Sequence, residues 1–150
     1  MRGVARKCAY DELRMDAACT LVELDAGLRG EAHLVVEDAD TSVSFGSGTV
    51  AVLATPRVMA LCEQASVAAL AGRLPAGLTT VCMRVQMEHL HPSAVGAKVE
   101  AEAVLDKVEG KRLFFTVSAS DERGLIACGK VTRVQVDVDR FLDKARCPAR

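Results

Sequence analysis

The chain has no tryptophan, one tyrosine and four phenylalanines among its 150 residues. It therefore offers no aromatic platform on which the bases of a single-stranded nucleic acid could stack. A surplus of either charge is also missing. Lysine and arginine number 19 against 20 acidic residues, a formal charge of −1 that argues against binding a phosphate backbone. No apolar run approaches the length of a membrane span, and Asp11, Glu12 and Asp16 follow the basic start too soon for a secretory leader. Cys8, Cys19, Cys62, Cys82, Cys128 and Cys147 form no Cys-x-x-Cys pair and show no metal-like spacing. Scattered cysteines of this kind suit a reducing cytosol better than a disulfide framework. A soluble cytoplasmic protein that touches neither nucleic acid nor membrane is expected.

What is present is one domain's worth of apolar sequence, half of all residues being hydrophobic. Its centre is the stretch from Ala54-Thr55-Pro56 through Arg57 to Leu74. Thr55 suits an N-cap, Pro56 suits the first helical position, and Leu74-Pro75 suits the end. Val58, Met59, Leu61, Cys62, Val67 and Leu70 leave this helix almost no polar face, which predicts burial all round. Glu63 breaks the pattern. It shares a face with Met59, Ala60, Val67 and Leu70, where a carboxylate is costly unless paired, protonated or used.

The remainder reads as strands. Residues 1–26 form an extension expected to be mobile, with a short strand from Ala18 to Leu24. In Glu31 to Glu37, Ala32, Leu34 and Val36 alternate with polar residues, and His33 falls on the solvated side. Thr41 to Val52 carries the glycine-bearing Phe45-Gly46-Ser47-Gly48, which lacks both the Walker lysine and a dinucleotide fingerprint and reads as a flexible approach to the helix.

After the helix, Thr79 to Leu90 places Val81, Met83, Val85, Met87 and His89 on one row and Cys82 on the other. Ala97 to Val108 and Arg112 to Ser120 alternate likewise, joined by a turn at Glu109-Gly110. In Leu125 to Val138 the apolar phase slips between Cys128 and Val134, which predicts a β-bulge at Gly129. Phe141 to Arg150 is a basic tail with one short helical turn. An antiparallel sheet needs one face covered and a single helix is available, so an α+β hotdog arrangement follows, the sheet curled around one central helix.

Several stretches carry a resemblance: Ala54-Thr55-Pro56 with Glu63 eight positions after Thr55, Leu78-Thr79-Thr80-Val81, Val85-Gln86-Met87-Glu88-His89-Leu90 and Gly96. Gly110-Lys111-Arg112-Leu113-x-Phe115 and Asp121-x-x-Gly124-Leu125-Ile126 add to it. Over residues 27–145 the chain resembles the hotdog thioesterases of the fluoroacetyl-CoA-specific type, which leaves 146–150 as a tail. The resemblance implies an acyl-CoA thioesterase, paired as a homodimer or dimer of dimers, with CoA present only as part of the substrate. It puts Thr55, Glu63 and His89 at the family's catalytic positions. Cys82 stands where the family usually has a glycine whose N–H faces the thioester, so its side chain alters the acyl pocket. Phe45 joins Cys82 as a substrate-binding candidate.

Each residue also has a plainer reading. Thr55 is explained by capping alone, Glu63 by a buried arginine partner, and His89 by a satisfied core position. Their coincidence on the two apolar surfaces expected to face each other favours a site. Cys62 or Cys82 as nucleophile is a rival, weakened because apolar surroundings raise a thiol's pKa. Lys107, Lys111 and Arg112 are either solvated turn charges or contacts for CoA phosphates. No metal or redox cofactor is expected. A hotdog hydratase or dehydratase, and a non-catalytic acyl-CoA-binding protein, stay open as alternatives. One tension is geometric: eight residues along a helix separate Thr55 from Glu63 by about 12 Å of rise.

Overall fold

The computed structural model of the chain describes residues 21–147. The expectations placed on residues 1–20 and 148–150 lie outside the described residues. Residues 21–24 form no strand; the Val22 backbone instead meets the Gln135 side chain, with both N···O separations at 3.4 Å.

Five strands make one antiparallel sheet: β1 (Arg29–Val35), β2 (Leu78–His89), β3 (Lys98–Glu109), β4 (Arg112–Asp121) and β5 (Gly124–Asp137), in the order β1-β3-β4-β5-β2. Among the described residues three α-helices accompany them: α1 (Ser42–Phe45), α2 (Thr55–Ala69) and α3 (Val138–Arg146). Helix α2 lies mainly against β1 and β3, which is the packing expected from one helix and one amphipathic sheet. Its buried side is Val58, Leu61, Cys62, Ala65, Ser66 and Ala69. The sheet beneath is floored by small residues: Gly30 pairs with Ala103, and Ala32 with Ala101. Small side chains let backbone approach backbone. A Cβ on Gly30 would stand 2.2 Å from the Ala65 carbonyl oxygen and from the Ala69 nitrogen.

The helix differs from expectation at both ends. It stops at Ala69 rather than Leu74, because Leu70 leaves helical geometry and Gly72 takes a φ of 70°. It starts at Thr55, and Ala54 is the N-cap residue. Nor is it buried all round, since Val67 is 51% exposed. The face carrying Met59, Glu63 and Val67 is less covered than the face packed on β1 and β3.

Two phases were also misread. In β2 the ladder shifts between Cys82 and Arg84, so Met83 is an extra residue and the inward row changes parity there. Thr80 and Cys82 point inward before the bulge, while Val85, Met87 and His89 do so after it. In β5 no bulge falls at Gly129, which pairs in register with Met87 on one side and Val117 on the other. The inward row of β5 runs unbroken through Ala127, Gly129, Val131, Arg133 and Gln135. The apparent slip arose because its last two members are polar. The ladder's irregularity lies at Ile126, opposite Ala119 and Ser120. The C-terminal turn is longer than expected: Asp137 accepts a bond from the Arg140 N–H and caps all of α3.

Because the Gly30 contact is with helix backbone, no side chain can yield to relieve it. Gly30→Ala is expected to cost about 2–3 kcal/mol, the upper part of the usual overpacking range. Urea denaturation would show it as a lower midpoint at unchanged slope.

Candidate active site

Thr55 does not cap its helix. The cap backbone belongs to Ala54, and no side chain bonds back to the first turn. Released from that role, Thr55 Oγ1 lies 2.9 Å from Nδ1 of His89, which sits at the last position of β2. The start of the helix and the end of the strand thus meet side chain to side chain.

His89 is half-buried. Burial pushes its imidazole below the ordinary value of 6.5, so the ring is neutral at neutral pH. A neutral ring has one bare nitrogen. If Nδ1 is bare, it accepts the Thr55 hydroxyl proton; if Nε2 is bare, Nδ1–H donates to Thr55. Nε2 itself is buried and has no hydrogen-bond partner.

Glu63 lies two helical turns further along, and its ionic partner is Arg133 rather than His89. The separation is 3.8 Å, with the Glu63 side chain 37% exposed and the Arg133 side chain 6%. Arg133 comes from the inward row of β5. Thr80 anchors it, accepting from Nε at 2.8 Å through its hydroxyl and from Nη2 at 2.9 Å through its carbonyl. The remaining nitrogen, Nη1, is buried and makes no hydrogen bond. Among the described residues, His89 Nε2 and Arg133 Nη1 are the two buried side-chain polar atoms in this condition. Buried donors and acceptors are normally satisfied, so these two atoms stand out among the polar groups of the fold.

The sequence reading missed Arg133. Its signal was present as the apparent phase slip in β5, which reflected polar side chains on an apolar row.

Cys82 points toward this second cluster, opposite Arg133 in the ladder. Burial raises its thiol pKa, and the adjacent Glu63 carboxylate raises it further. The Cys62 thiol is pushed up by burial to about 12. Neither is a thiolate at neutral pH, which removes the support for a cysteine nucleophile. Phe45 ends α1 and is 46% exposed. His33 stands on the outer face, 3.9 Å from Glu31 and 3.6 Å from Glu100, as its polar-side position suggests. Lys107 is engaged by Glu109 at 2.6 Å and lies over the Phe114 ring. Among the described residues no group of three metal-ligating side chains converges, and no helix is long and apolar enough to cross a membrane.

Comparison with known proteins agrees with this architecture. A family model described as fluoroacetyl-CoA-specific thioesterase matches residues 36–139. A solved fluoroacetyl-CoA thioesterase superposes with a TM-score of 0.77 at 27% identity, covering 84% of this chain and 99% of its own. A hot-dog-like protein from Thermanaerovibrio acidaminovorans does so with a TM-score of 0.77 at 27% identity, over 85% and 96% of the two chains. A thioesterase superfamily member from Thermus thermophilus, at 23% identity and a TM-score of 0.75, covers 83% and 92% and speaks for the fold alone. No curated protein sequence gives a significant match. The curled five-stranded sheet on one helix is the hotdog fold.

Because burial disfavours the imidazolium, the His89 ring should titrate below 6.5 in a proton NMR titration of the folded protein. The unfolded chain then takes up the proton first, so this histidine costs stability as pH falls through 6.5 toward the folded value. A midpoint at or above 6.5 would contradict the neutral base.

Proposed function

The chain belongs to the fluoroacetyl-CoA-specific thioesterase family and is a thioester hydrolase, and on that premise we propose that it cleaves a small acyl-CoA through Thr55 and His89. The observation that carries this reading is the 2.9 Å contact between Thr55 Oγ1 and His89 Nδ1, made by a threonine that caps nothing.

Thioester cleavage needs a nucleophile, a proton acceptor and donors for the developing oxyanion. His89 takes the hydroxyl proton as Thr55 Oγ1 attacks the thioester carbonyl. The C–S bond breaks, and the CoA sulfur leaves with the proton that His89 held. Water, activated by the same ring, then hydrolyses the Thr55 ester to the free acid. The Arg57 and Val58 N–H groups are taken by the Ala54 carbonyl, so the start of α2 serves the oxyanion through the positive end of the helix dipole.

Glu63 and Arg133 make up the second part of the site, where Cys82 narrows the space left for the acyl group. Phe45, exposed on α1, is our candidate for a contact with the substrate. Two helical turns separate Thr55 from Glu63, so one small substrate does not span both within a single chain. A homodimer resolves this, and β2 supports it as a twelve-residue strand whose outer edge has no partner strand among the described residues. We place the protein in the cytoplasm, acting on a soluble substrate.

The experiment is thiol release over an acyl-CoA panel. His89→Ala should lower kcat/KM on the best substrate by at least about a hundredfold, the low end of what a general base supplies. The wild-type profile of kcat/KM should fall on the acid side only below pH 6.5, as the ring protonates. Hydration of an enoyl-CoA without thiol release would favour a hydratase instead. Equal rates for wild type and His89→Ala would remove the histidine from the reaction.

A further inference from the structure

We infer that the ion pair between Asp40 and Arg57 is a positioning device that holds Thr55 against His89, an inference that rests on the hydrolase reading above. Asp40 closes a short 3-10 turn over Asp38–Asp40 and accepts three hydrogen bonds that shape the chain around it. Its main-chain carbonyl accepts from the Ala54 N–H at 2.9 Å. Its carboxylate accepts from Arg57 Nε at 2.8 Å through Oδ1 and from the Glu37 N–H at 2.9 Å through Oδ2. Ala54 and Arg57 stand on either side of Thr55-Pro56. One residue therefore grips the chain before and after the nucleophile.

That grip matters because the first turn, anchored in the core through Val58, has no cap to fix Thr55. Pro56 has no N–H, and no side chain caps the helix. Helix propensity does not account for Arg57 either. A cation in the first turn faces the positive end of the helix dipole, and no acidic residue occupies that turn. Asp40, from outside the helix, offsets this. Both side chains are largely covered, 19% exposed for Arg57 and 13% for Asp40, so the pair is less screened than a surface salt bridge.

The same segment is stapled further back. Thr41 bridges Leu53, Ser42 N–H donates to the Val52 carbonyl at 2.9 Å, and Leu53 N–H donates to the Ser93 carbonyl at 2.9 Å. These bonds fix the approach to Ala54. Beyond Ala54, the Asp40–Arg57 pair ties the first turn of α2 to this scaffold through a polar side-chain contact. A hydroxyl 2.9 Å from its base has little tolerance, since a shift of about 1 Å breaks the hydrogen bond.

The test uses the intact protein and the variants Arg57→Met, Asp40→Asn and Arg57→Lys. Arg57→Met and the isosteric Asp40→Asn should lower kcat about tenfold to a hundredfold, the scale of a small misplacement, while KM moves less than about twofold. Arg57→Lys keeps the charge and should restore most of the lost rate. Nitrogen-15 NMR of the His89 ring reads the Thr55 contact without any turnover. Arg57→Met should move the Nδ1 resonance toward its position in Thr55→Ala, and should add no further shift when combined with Thr55→Ala. An unmoved Nδ1 resonance in both Arg57→Met and Asp40→Asn would overturn the inference, as would kcat and KM changing together. If the wild type releases thiol from no acyl-CoA, the hydrolase reading fails, and the ring resonance still decides whether the pair positions Thr55.

Discussion

The seating of α2 in the trough of the sheet is the constraint from which the other features follow. Gly30 and the alanines at 32, 101 and 103 remove side-chain bulk from the floor, and Ala65, Ser66 and Ala69 remove it from the helix. Dispersion and burial then act over a short separation, where packing is most sensitive to an added atom. The helix cannot rise or roll without losing that fit. With α2 so held, the line of its axis relative to the far end of β2 is settled. The Thr55–His89 contact is a consequence of core packing as much as of local chemistry.

A second consequence concerns polar groups in an apolar place. Arg133 and Gln135 stand on the same inward row as Ala127 and Val131, at 5% and 1% exposure. A buried guanidinium is costly unless its donors are matched. Thr80 satisfies two of its nitrogens, Glu63 supplies a countercharge at 3.8 Å, and Nη1 stays open. His89 repeats the pattern, one nitrogen matched by Thr55 and the other open. Folding alone gains nothing from two buried, unmatched nitrogens. A ligand that completed them would recover those hydrogen bonds.

Much of this was legible before any coordinates. Alternation placed the long strands, and the covering argument placed the helix against them, because both rest on local periodicity. His89 was set on the row of Val85 and Met87, where the ladder puts it. Other readings failed for reasons that are not local. Cap preference made Thr55 an N-cap, but the chain reaches the helix through Ala54 bound to the Asp40 carbonyl, seventeen residues from Arg57, which shares that partner. The phase slip in β5 was real as a pattern and wrong as a bulge. Hydrophobicity alone does not separate a shifted strand from an unshifted one with polar residues on its inner row.

The sequence by itself determined the element types, the central helix, the family resemblance and the three polar residues that stand out on apolar surfaces, since period, turn residues and motif spacing are carried by neighbouring positions. Only the tertiary structure decided that Cys82 turns inward, that Glu63 faces Arg133, and that Thr55 is free to meet His89. Those outcomes depend on one extra residue in β2, on the curl that brings β5 under α2, and on a cap taken over by Ala54. Each is a matter of registry between segments far apart in the chain, and side chains acquire registry only when the sheet closes around the helix.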